Sequence, residues 1–381
     1  MSEASNRPSL LYVSPVVPSA TGSGIAMRAG VVLEALCERY RVSLLVIPLY
    51  PTLEEHMPHF LRVLCEKGVI LQPRANTEDQ VRRAGEVYQG QLFDVVHVFR
   101  LAAMLYAQPY IRQARKHGRL HLDLDDIESK TSRRIAELHR GARNDAMADA
   151  ALANAQRSSA LEAVAFRSFD RIYVCSDGDR RELADRCEAE ICVLRNTVRL
   201  PGGVRPVAAN GVFRFLFLGT LGYYPNQDGV RFFCSEVLPL MRAKAVGAFQ
   251  VNVVGSGDST GVAHLASGEV HLAGQVADVR PWYEDCNAVI VPLRVAGGTR
   301  VRILEAFSYS RPVVTTTIGL EGIDAAPDQH VLVANTPEDF AAACLKLMTD
   351  RTLAPALVEN ASVLVSRLYT VDALKETLAL L

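Results

Sequence analysis

The residues best suited to chemistry lie between Gly297 and Pro312, in the stretch GGTRVRILEAFSYSRP. Two glycines precede Arg300 and Arg302, and Glu305 follows about one helical turn later. A helix start disfavours cations by about 0.3–1 kcal/mol each unless an anion binds there, whereas backbone N–H groups beside arginines form a phosphate site. The stretch predicts binding of a phosphate-bearing ligand, with Glu305 able to accept hydrogen bonds from a ribose diol. The alternative is a solvated helix start with a surface salt bridge.

A second set of candidate residues is acidic and lies in Leu120–Ser129, LHLDLDDIES, at the end of an expected strand. Asp123, Asp125 and Asp126 are costly to bury unless they face a polar cleft. Strand alternation points Asp123 to the same side as Asp125. The three carboxylates could hold a divalent cation, but no distant ligand set completes such a site. We therefore expect no metal.

The strand expected at Asp94–Phe99 contributes two further candidates. His97 lies within the apolar run, where a satisfied core histidine is commoner than a catalytic one. Arg100 lies just past the strand and is suited to bind an anionic or hydroxylated group.

The arginines of the glycine stretch require a strand, a loop and a helix to position them. Val289–Val291 is a short apolar run of the kind found in buried strands, and Pro292 closes it. Thr299 is the predicted N-cap of a helix with apolar residues at helical spacing. Pro312 ends that helix before the next strand.

The N-terminal part of the chain predicts the same kind of unit. Leu10–Val13 is a buried-type strand, Ser19–Gly24 a glycine-containing loop, Ala26–Tyr40 a helix and Val42–Ile47 the next strand. This βαβ pattern places its loop where parallel sheets bind ligands. A tight turn that needs glycine explains the GSG sequence equally well.

The composition is that of a globular protein, and the length suggests two domains or three. The chain has 381 residues, of which 49% are hydrophobic and 22% charged, and a net charge of −1. This charge gives no reason to expect nucleic acid or an anionic membrane as an obligatory partner. The Pro- and Gly-rich segment Leu200–Gly211 predicts a linker between domains at residues 1–200 and 201–381.

The same sequence predicts a cytoplasmic location. Met1–Ser9 lacks the apolar core of a signal peptide, and no run approaches the roughly 18 apolar residues of a membrane span. The eight cysteines form no CxxC pair and no zinc-binding spacing. Reduced, packed thiols are therefore expected.

The stretch Gly297–Val314 resembles the donor-site motif of retaining glycosyltransferases of family four (glycosyl transferases group 1). The resemblance implies the GT-B fold: α/β, with two Rossmann-like domains facing each other across a cleft and a final helix that often crosses back onto the first. In that family the residue matching Arg302 contacts the donor diphosphate, and the glutamate matching Glu305 holds the nucleotide ribose. Many members carry another glutamate at the position of Gly297, so the group that contacts the donor sugar stays open. The pattern YxPNxDG at Tyr223–Gly229 resembles a branch that includes transferases of exopolysaccharide and exosortase-associated gene sets.

The resemblance also implies the roles of individual residues. The catalytic residues would be Arg302, Glu305, Asp125 and Asp126. The donor-binding residues would be Gly24, Gly219, Thr220, Val276 (through its backbone, at the nucleobase), Gly297, Gly298, Thr299, Arg300, Arg302 and Glu305. The acceptor side would be formed by His97, Arg100, Asp123, Asp125 and Asp126. Asn196 matches an asparagine at the family's interdomain hinge, although a simple turn former explains it too.

The implied activity is transfer of a sugar from a nucleotide-sugar to an acceptor hydroxyl with retention at the anomeric carbon. The acceptor would be a polysaccharide, a glycolipid or a small molecule, and peripheral membrane association is compatible with it. Neither metal nor cofactor is expected beyond the nucleotide-sugar co-substrate. In the mechanism usually proposed, the departing β-phosphate takes the acceptor proton while arginines stabilise its charge, so no protein nucleophile is needed. Two alternatives are a nucleotide-sugar 2-epimerase of the same fold and a non-catalytic nucleotide-binding member.

Overall fold

The computed structural model describes residues 7–49, 56–74, 76–203, 211–244 and 247–380. The chain divides into two compact units. Unit 1 contains Met1–Arg133, Ala150–Asn196 and Leu374–Leu381, and unit 2 contains Arg134–Asp149 and Thr197–Ala373. Most of the predicted linker, residues 204–210, lies outside the described residues.

Unit 1 is built on a parallel sheet. Its strands within the described residues are β1 (Ser9–Ser14), β2 (Arg41–Val46), β3 (Lys67–Ile70), β4 (Val95–Phe99), β5 (Arg119–Asp123), β6 (Arg171–Val174) and β7 (Glu190–Val193). They are ordered β3-β2-β1-β4-β5-β6-β7, and each neighbouring pair is parallel. Because both faces of such a sheet are covered, its central strands are almost continuously apolar; Leu10–Val13 in β1 is fully buried.

Helices cover this sheet and connect its strands. They are α1 (Gly24–Cys37), α2 (His59–Leu64), α3 (Thr77–Val87), α4 (Gln108–His117), α5 (Glu128–Gly141), α6 (Asp145–Ser168) and α7 (Asp177–Leu183). The division between the units falls inside α5, so the second half of this helix counts with unit 2.

Unit 2 repeats the design with a second parallel sheet. Its strands within the described residues are β8 (Val212–Leu218), β9 (Ala248–Val254), β10 (Val270–Gly274), β11 (Ala288–Val291), β12 (Val313–Thr315) and β13 (Leu332–Val333). Their order is β10-β9-β8-β11-β12-β13, again parallel throughout.

The remaining helices belong mainly to unit 2. They are α8 (Tyr224–Phe232), α9 (Leu238–Lys244), α10 (Arg280–Asp285), α11 (Val301–Ser308), α12 (Thr317–Leu320), α13 (Pro337–Thr349), α14 (Leu353–Leu368) and α15 (Val371–Leu380). A π-helical turn, Phe233–Val237, joins α8 to α9, and most of α15 counts with unit 1. None of the helices described is long and apolar enough to cross a bilayer.

Both sheets have the strand order of doubly wound nucleotide-binding folds. In such sheets ligands bind at the carboxyl ends of the strands, beside the point where the strand order reverses. That point lies between β1 and β4 in unit 1 and between β8 and β11 in unit 2. The predicted α/β class with two Rossmann-like sheets is confirmed.

Candidate active site

The glycine loop of unit 2 follows β11 at the carboxyl edge of the sheet, next to the loop that follows β8. Gly298 has a φ of +60°, which an L side chain rarely adopts. The predicted cap at Thr299 is wrong: α11 begins at Val301, its N-cap residue is Arg300, and no side chain caps it. The buried Thr299 hydroxyl has no hydrogen-bond partner within the structure. The start of α11 therefore lacks the cap that a self-contained helix would carry.

Arg300 supports this loop from within the protein. It is only 5% exposed. Its guanidinium donates to the carbonyls of Gly297 at 3.1 Å, Glu321 at 2.6 Å and Gly298. These contacts favour a structural role in holding the loop, so that Arg302 is the better placed cation for an anionic ligand.

Arg302 lies between the loops that follow β8 and β11. Its Nη1 donates to Oδ1 of Asn226 at 3.1 Å, and its guanidinium lies 5.5 Å from the centre of the Phe217 ring. A Cβ at Gly219 would lie 2.5 Å from Arg302 Nη1 and 2.9 Å from Asn226 Nδ2, so a larger residue here would displace these two side chains. Burial lowers the pKa of Arg302 to about 10, with Arg300 acting in the same direction. The group still carries its charge at neutral pH, in a place where that charge is poorly solvated.

Asn226 holds Arg302 in this position, a role that the sequence did not reveal. It is 2% exposed, and its Nδ2 donates to the carbonyl of Thr220 at 2.8 Å while its Oδ1 accepts from Arg302. The available signal was its place in the YxPNxDG pattern, within α8, which begins just after the β8 loop. Because both ends of the amide are used, Asn226 fixes the arginine against Gly219 and Thr220.

Glu305 faces a buried tyrosine. The hydroxyl of Tyr283 donates to Glu305 Oε2 at 3.0 Å, and Tyr283 itself is fully buried and stacks on Tyr309 at 4.6 Å. Burial raises the pKa of Glu305, although Tyr283 and Arg302 oppose that shift. Tyr283 is thus a core residue that also orients the carboxylate.

The other donor-side candidates of unit 2 lie at the same edge of its sheet. Gly219 and Thr220 directly follow β8, and a Cβ on Gly255, after β9, would come 1.8 Å from the Gly219 carbonyl oxygen. Val276 is half-buried two residues beyond β10. The sheet therefore brings the residues 219–220, 276 and 297–305 to one edge. The remaining donor-side candidate, Gly24, is exposed at the start of α1 in unit 1, where Ser23 caps the helix.

Asp123 of unit 1 was predicted to line the acceptor side. It is fully buried, so this prediction does not fit the structure. Its carboxylate accepts from Nη2 of Arg28 at 2.8 Å and from Nε at 3.2 Å. Arg28, on α1, is itself 4% exposed. Burial raises the pKa of Asp123, with Arg28 opposing. Arg28 was not predicted from the sequence; the available signal was that a buried carboxylate at a strand end needs a cation nearby.

Asp125 forms the centre of a polar network. Its carboxylate accepts from Arg100 at 3.1 Å, from Asn196 Nδ2 at 3.2 Å and from the Cys175 thiol at 3.2 Å, and lies 3.6 Å from Nε of Arg28. Burial alone would raise the pKa of Asp125, but Arg28 and Arg100 outweigh it and lower the pKa. Asp125 is thus held ionised, with 15% of its side chain exposed.

Two residues of this network have unusual backbone conformations. Arg100 has a φ of +69° and Asp125 a φ of +56°, each just beyond one of the neighbouring strands β4 and β5. Non-glycine residues in this region are uncommon and collect at functional sites. Asp125 consequently does not continue the alternation of β5, although it and Asp123 both reach Arg28.

Asp126 and Glu128 lie at the start of α5. Asp126 is half-buried and accepts from the Thr131 hydroxyl at 2.9 Å, while Glu128 accepts from Arg100 at 3.3 Å. The backbone N–H of Ser129 is bound by Glu162 of α6 at 2.9 Å. A carboxylate from another helix therefore satisfies one of the N-terminal donors of α5.

The structure also contradicts the placement of His97 on the acceptor side. It lies in the middle of β4, is fully buried, and stacks on Tyr12 with 5.1 Å between ring centres. Neither ring nitrogen has a hydrogen-bond partner, and burial lowers the pKa of His97 well below its usual value. His97 is a neutral core residue of the sheet and cannot reach an acceptor. Among the residues described, no group of three or more His, Cys, Asp or Glu side chains could hold a metal ion.

Comparison with known proteins agrees with this geometry. Residues 212–350 match the family model of Glycosyl transferases group 1. No curated protein sequence matches the chain. Sucrose-phosphate synthase from Thermosynechococcus elongatus superimposes with a TM-score of 0.75 at 15% identity, over 98% of each chain. Anabaena Alr3699/HepE in complex with UDP-glucose has a TM-score of 0.68 at 14% identity, over 98% of this chain and 100% of that one. A glycosyltransferase from Rickettsia africae has a TM-score of 0.69 at 14% identity, over 98% of this chain and 97% of that one. The whole chain therefore has the GT-B fold, and its residues 212–350 are similar to the glycosyl transferases group 1 family.

Proposed function

We propose that the protein is a retaining glycosyltransferase of family four that moves a sugar from a nucleotide-sugar to an acceptor hydroxyl. The observation that carries this proposal is the position of Arg302. A poorly solvated cation is held by Asn226 against the glycine of the β8 loop, at the edge of the sheet where such folds bind nucleotides. It also lies inside the segment that matches the family model.

In the proposed reaction, Arg302 and the backbone N–H groups of the glycine loop bind the donor diphosphate. The negative charge on the β-phosphate grows as the glycosidic bond to the nucleotide breaks, so donors already in place stabilise the transition state more than the ground state. The acceptor oxygen forms the new bond to the anomeric carbon on the same face, and the departing β-phosphate oxygen accepts the proton of the acceptor hydroxyl. No protein nucleophile and no metal are required.

Glu305 is proposed to bind the ribose. Its carboxylate accepts a hydrogen bond from Tyr283 with one oxygen, and a carboxylate has further acceptor capacity for hydroxyl groups. Gly297 carries no carboxylate, so contacts to the sugar hydroxyls would come from backbone groups of the loop. Val276 is proposed to contact the base through its backbone.

The acceptor is proposed to bind at the polar network of unit 1. Asp125, Asp126 and Arg100 are the predicted acceptor residues that are not fully buried, and Arg100 and Asp125 have the strained backbone found at functional sites. We also propose a cytoplasmic location, which the eight free cysteines of the described chain support.

A turnover experiment tests the function. The protein is incubated with UDP-, GDP-, ADP- and dTDP-sugars, with and without a panel of sugar and lipid-linked acceptors, and nucleoside diphosphate release and product stereochemistry are followed by NMR. UDP-glucose is tried first because a structural neighbour binds it. We expect acceptor-dependent release and a product with the anomeric configuration of the donor. Epimerised sugar without acceptor would identify the 2-epimerase, and binding without turnover would identify a non-catalytic member.

A further inference from the structure

Arginines hold three successive carbonyl groups of the glycine loop. The Ala296 carbonyl accepts from Nη1 of Arg134 at 3.1 Å. The next two carbonyls, of Gly297 and Gly298, accept from Arg300. Arg300 belongs to the loop's own segment, whereas Arg134 lies on α5, 162 positions before Ala296 in the chain.

This arrangement fixes the direction of the loop's N–H groups. In a trans peptide the C=O and the following N–H point in opposite directions, and the described chain contains no cis peptide bond. The contact of Arg134 with the Ala296 carbonyl therefore turns the N–H of Gly297 away from Arg134. In the same way, Arg300 directs the N–H groups of Gly298 and Thr299. Successive N–H groups oriented in this way are a common means of binding anions.

Arg134 is itself held in place by Glu321. Its Nη2 donates to Glu321 Oε1 at 3.0 Å, and the backbone carbonyl of Glu321 accepts from Arg300 at 2.6 Å. Glu321 thus joins the two arginines that hold the loop. The planar, forked guanidinium of Arg134 can bind a carboxylate and a carbonyl together, which a lysine cannot do with the same geometry.

The same helix makes a second contact near the site. His139, 3% exposed, stacks on Tyr224 with 4.0 Å between ring centres. Tyr224 is the first residue of α8, the helix that carries Asn226. The second half of α5 therefore contacts both elements of unit 2 that surround Arg302.

We infer that Arg134 is a positioning residue of the donor site, which sets donor affinity by orienting the Gly297 N–H toward the donor diphosphate. The inference rests on the proposed function. A surface ion pair that only adds stability would contribute at most about 1 kcal/mol to folding and would leave the loop amides unchanged.

Hydrogen–deuterium exchange of the whole protein tests the positioning without any ligand. In Arg134→Ala, the peptides that cover residues 293–302 should exchange faster than in the wild type, because the Ala296 carbonyl loses its partner. Arg133→Ala is the matched control: it removes the same charge one residue away, from an exposed position, and should leave these peptides unchanged. Glu321→Gln, which keeps size and backbone but weakens the hold on Arg134, should give a smaller increase at the same peptides.

Nucleotide binding tests the consequence. Arg134→Ala should weaken binding of the nucleoside diphosphate by about tenfold and raise the donor KM, with the acceptor KM unchanged. Arg134→Lys keeps the charge but lacks the forked guanidinium, so its diphosphate affinity should lie between those of Arg134→Ala and the wild type. Arg133→Ala should bind the diphosphate as tightly as the wild type. Unchanged loop exchange in Arg134→Ala, or faster exchange with unchanged diphosphate affinity, would overturn the inference. A wild-type protein that binds none of the four nucleoside diphosphates would refute the proposed function instead, and the exchange comparison would still decide whether Arg134 positions the loop.

Discussion

The replacement Arg302→Met separates a binding role for this arginine from a structural one. Methionine keeps an unbranched stem of similar length against Phe217 and removes the charge. If Arg302 makes a charge-assisted hydrogen bond to the donor diphosphate, its loss should cost about 1.5–3 kcal/mol of binding free energy. The dissociation constant of the nucleoside diphosphate should therefore rise by about 10- to 150-fold.

The effect on folding should be small, for reasons that the site geometry provides. Burial lowers the pKa of Arg302 to about 10 in the folded protein. A cation whose pKa is lower when folded destabilises the native state wherever it is charged, including neutral pH, and methionine removes that cost. Against this gain, Asn226 loses one hydrogen bond, worth about 1 kcal/mol. These contributions oppose each other, so the melting temperature should change by less than about 4 °C.

Calorimetric titration with UDP, GDP, ADP and dTDP measures the dissociation constants, and thermal melting measures the melting temperature. Arg242→Met is the matched control, since Arg242 lies on α9 in the same unit and pairs with Glu269 at an exposed position. It should leave diphosphate affinity unchanged. Equal affinity in Arg302→Met and wild type would refute the phosphate assignment, and a large fall in melting temperature would show that the arginine is mainly structural.

Three further predictions follow from the same contacts. Asn226→Ala should weaken diphosphate binding about fivefold, because Arg302 loses the amide that holds it; titration showing wild-type affinity would contradict this. Asp123→Asn should lower the free energy of unfolding by about 3–5 kcal/mol, since it removes the nearer and fully buried of the two carboxylates that pair with the buried Arg28. Asp79→Asn provides the control, because Asp79 pairs with Arg82 at the protein surface. In denaturant titrations this substitution should lower the free energy of unfolding by less than about 1 kcal/mol. Turnover should persist in EDTA, because arginine and backbone N–H groups offset the diphosphate charge; complete loss that Mg²⁺ or Mn²⁺ restores would show this to be wrong.

Much of the architecture could be predicted from local patterns. Short apolar runs bounded by glycine and proline identified the central strands, because strands buried on both faces leave a continuous apolar run in the sequence. The proximity of the glycine pair, Arg302 and Glu305 could be predicted, because a loop and the first turns of a helix keep residues that are close in sequence close in space. The N-cap of α11 was placed one residue early, at Thr299 instead of Arg300, since a cap-forming residue type does not ensure that its side chain caps.

The partners of these residues were decided only by the tertiary structure. Asp123 was expected to face a polar cleft, and His97 to be a core residue or an acceptor-side residue. Both are fully buried on strands of the sheet, and Asp123 pairs with Arg28, 95 positions earlier. Asn226 and Arg302 are 76 positions apart. Such contacts leave no periodic trace in a sequence, because they depend on which strands become neighbours in the sheet. The sequence by itself determined which segments become strands, loops and helices and which of them carry charge. The order of the strands then decided which charges are buried as pairs and which stay at the edge of the sheet, where a ligand can reach them.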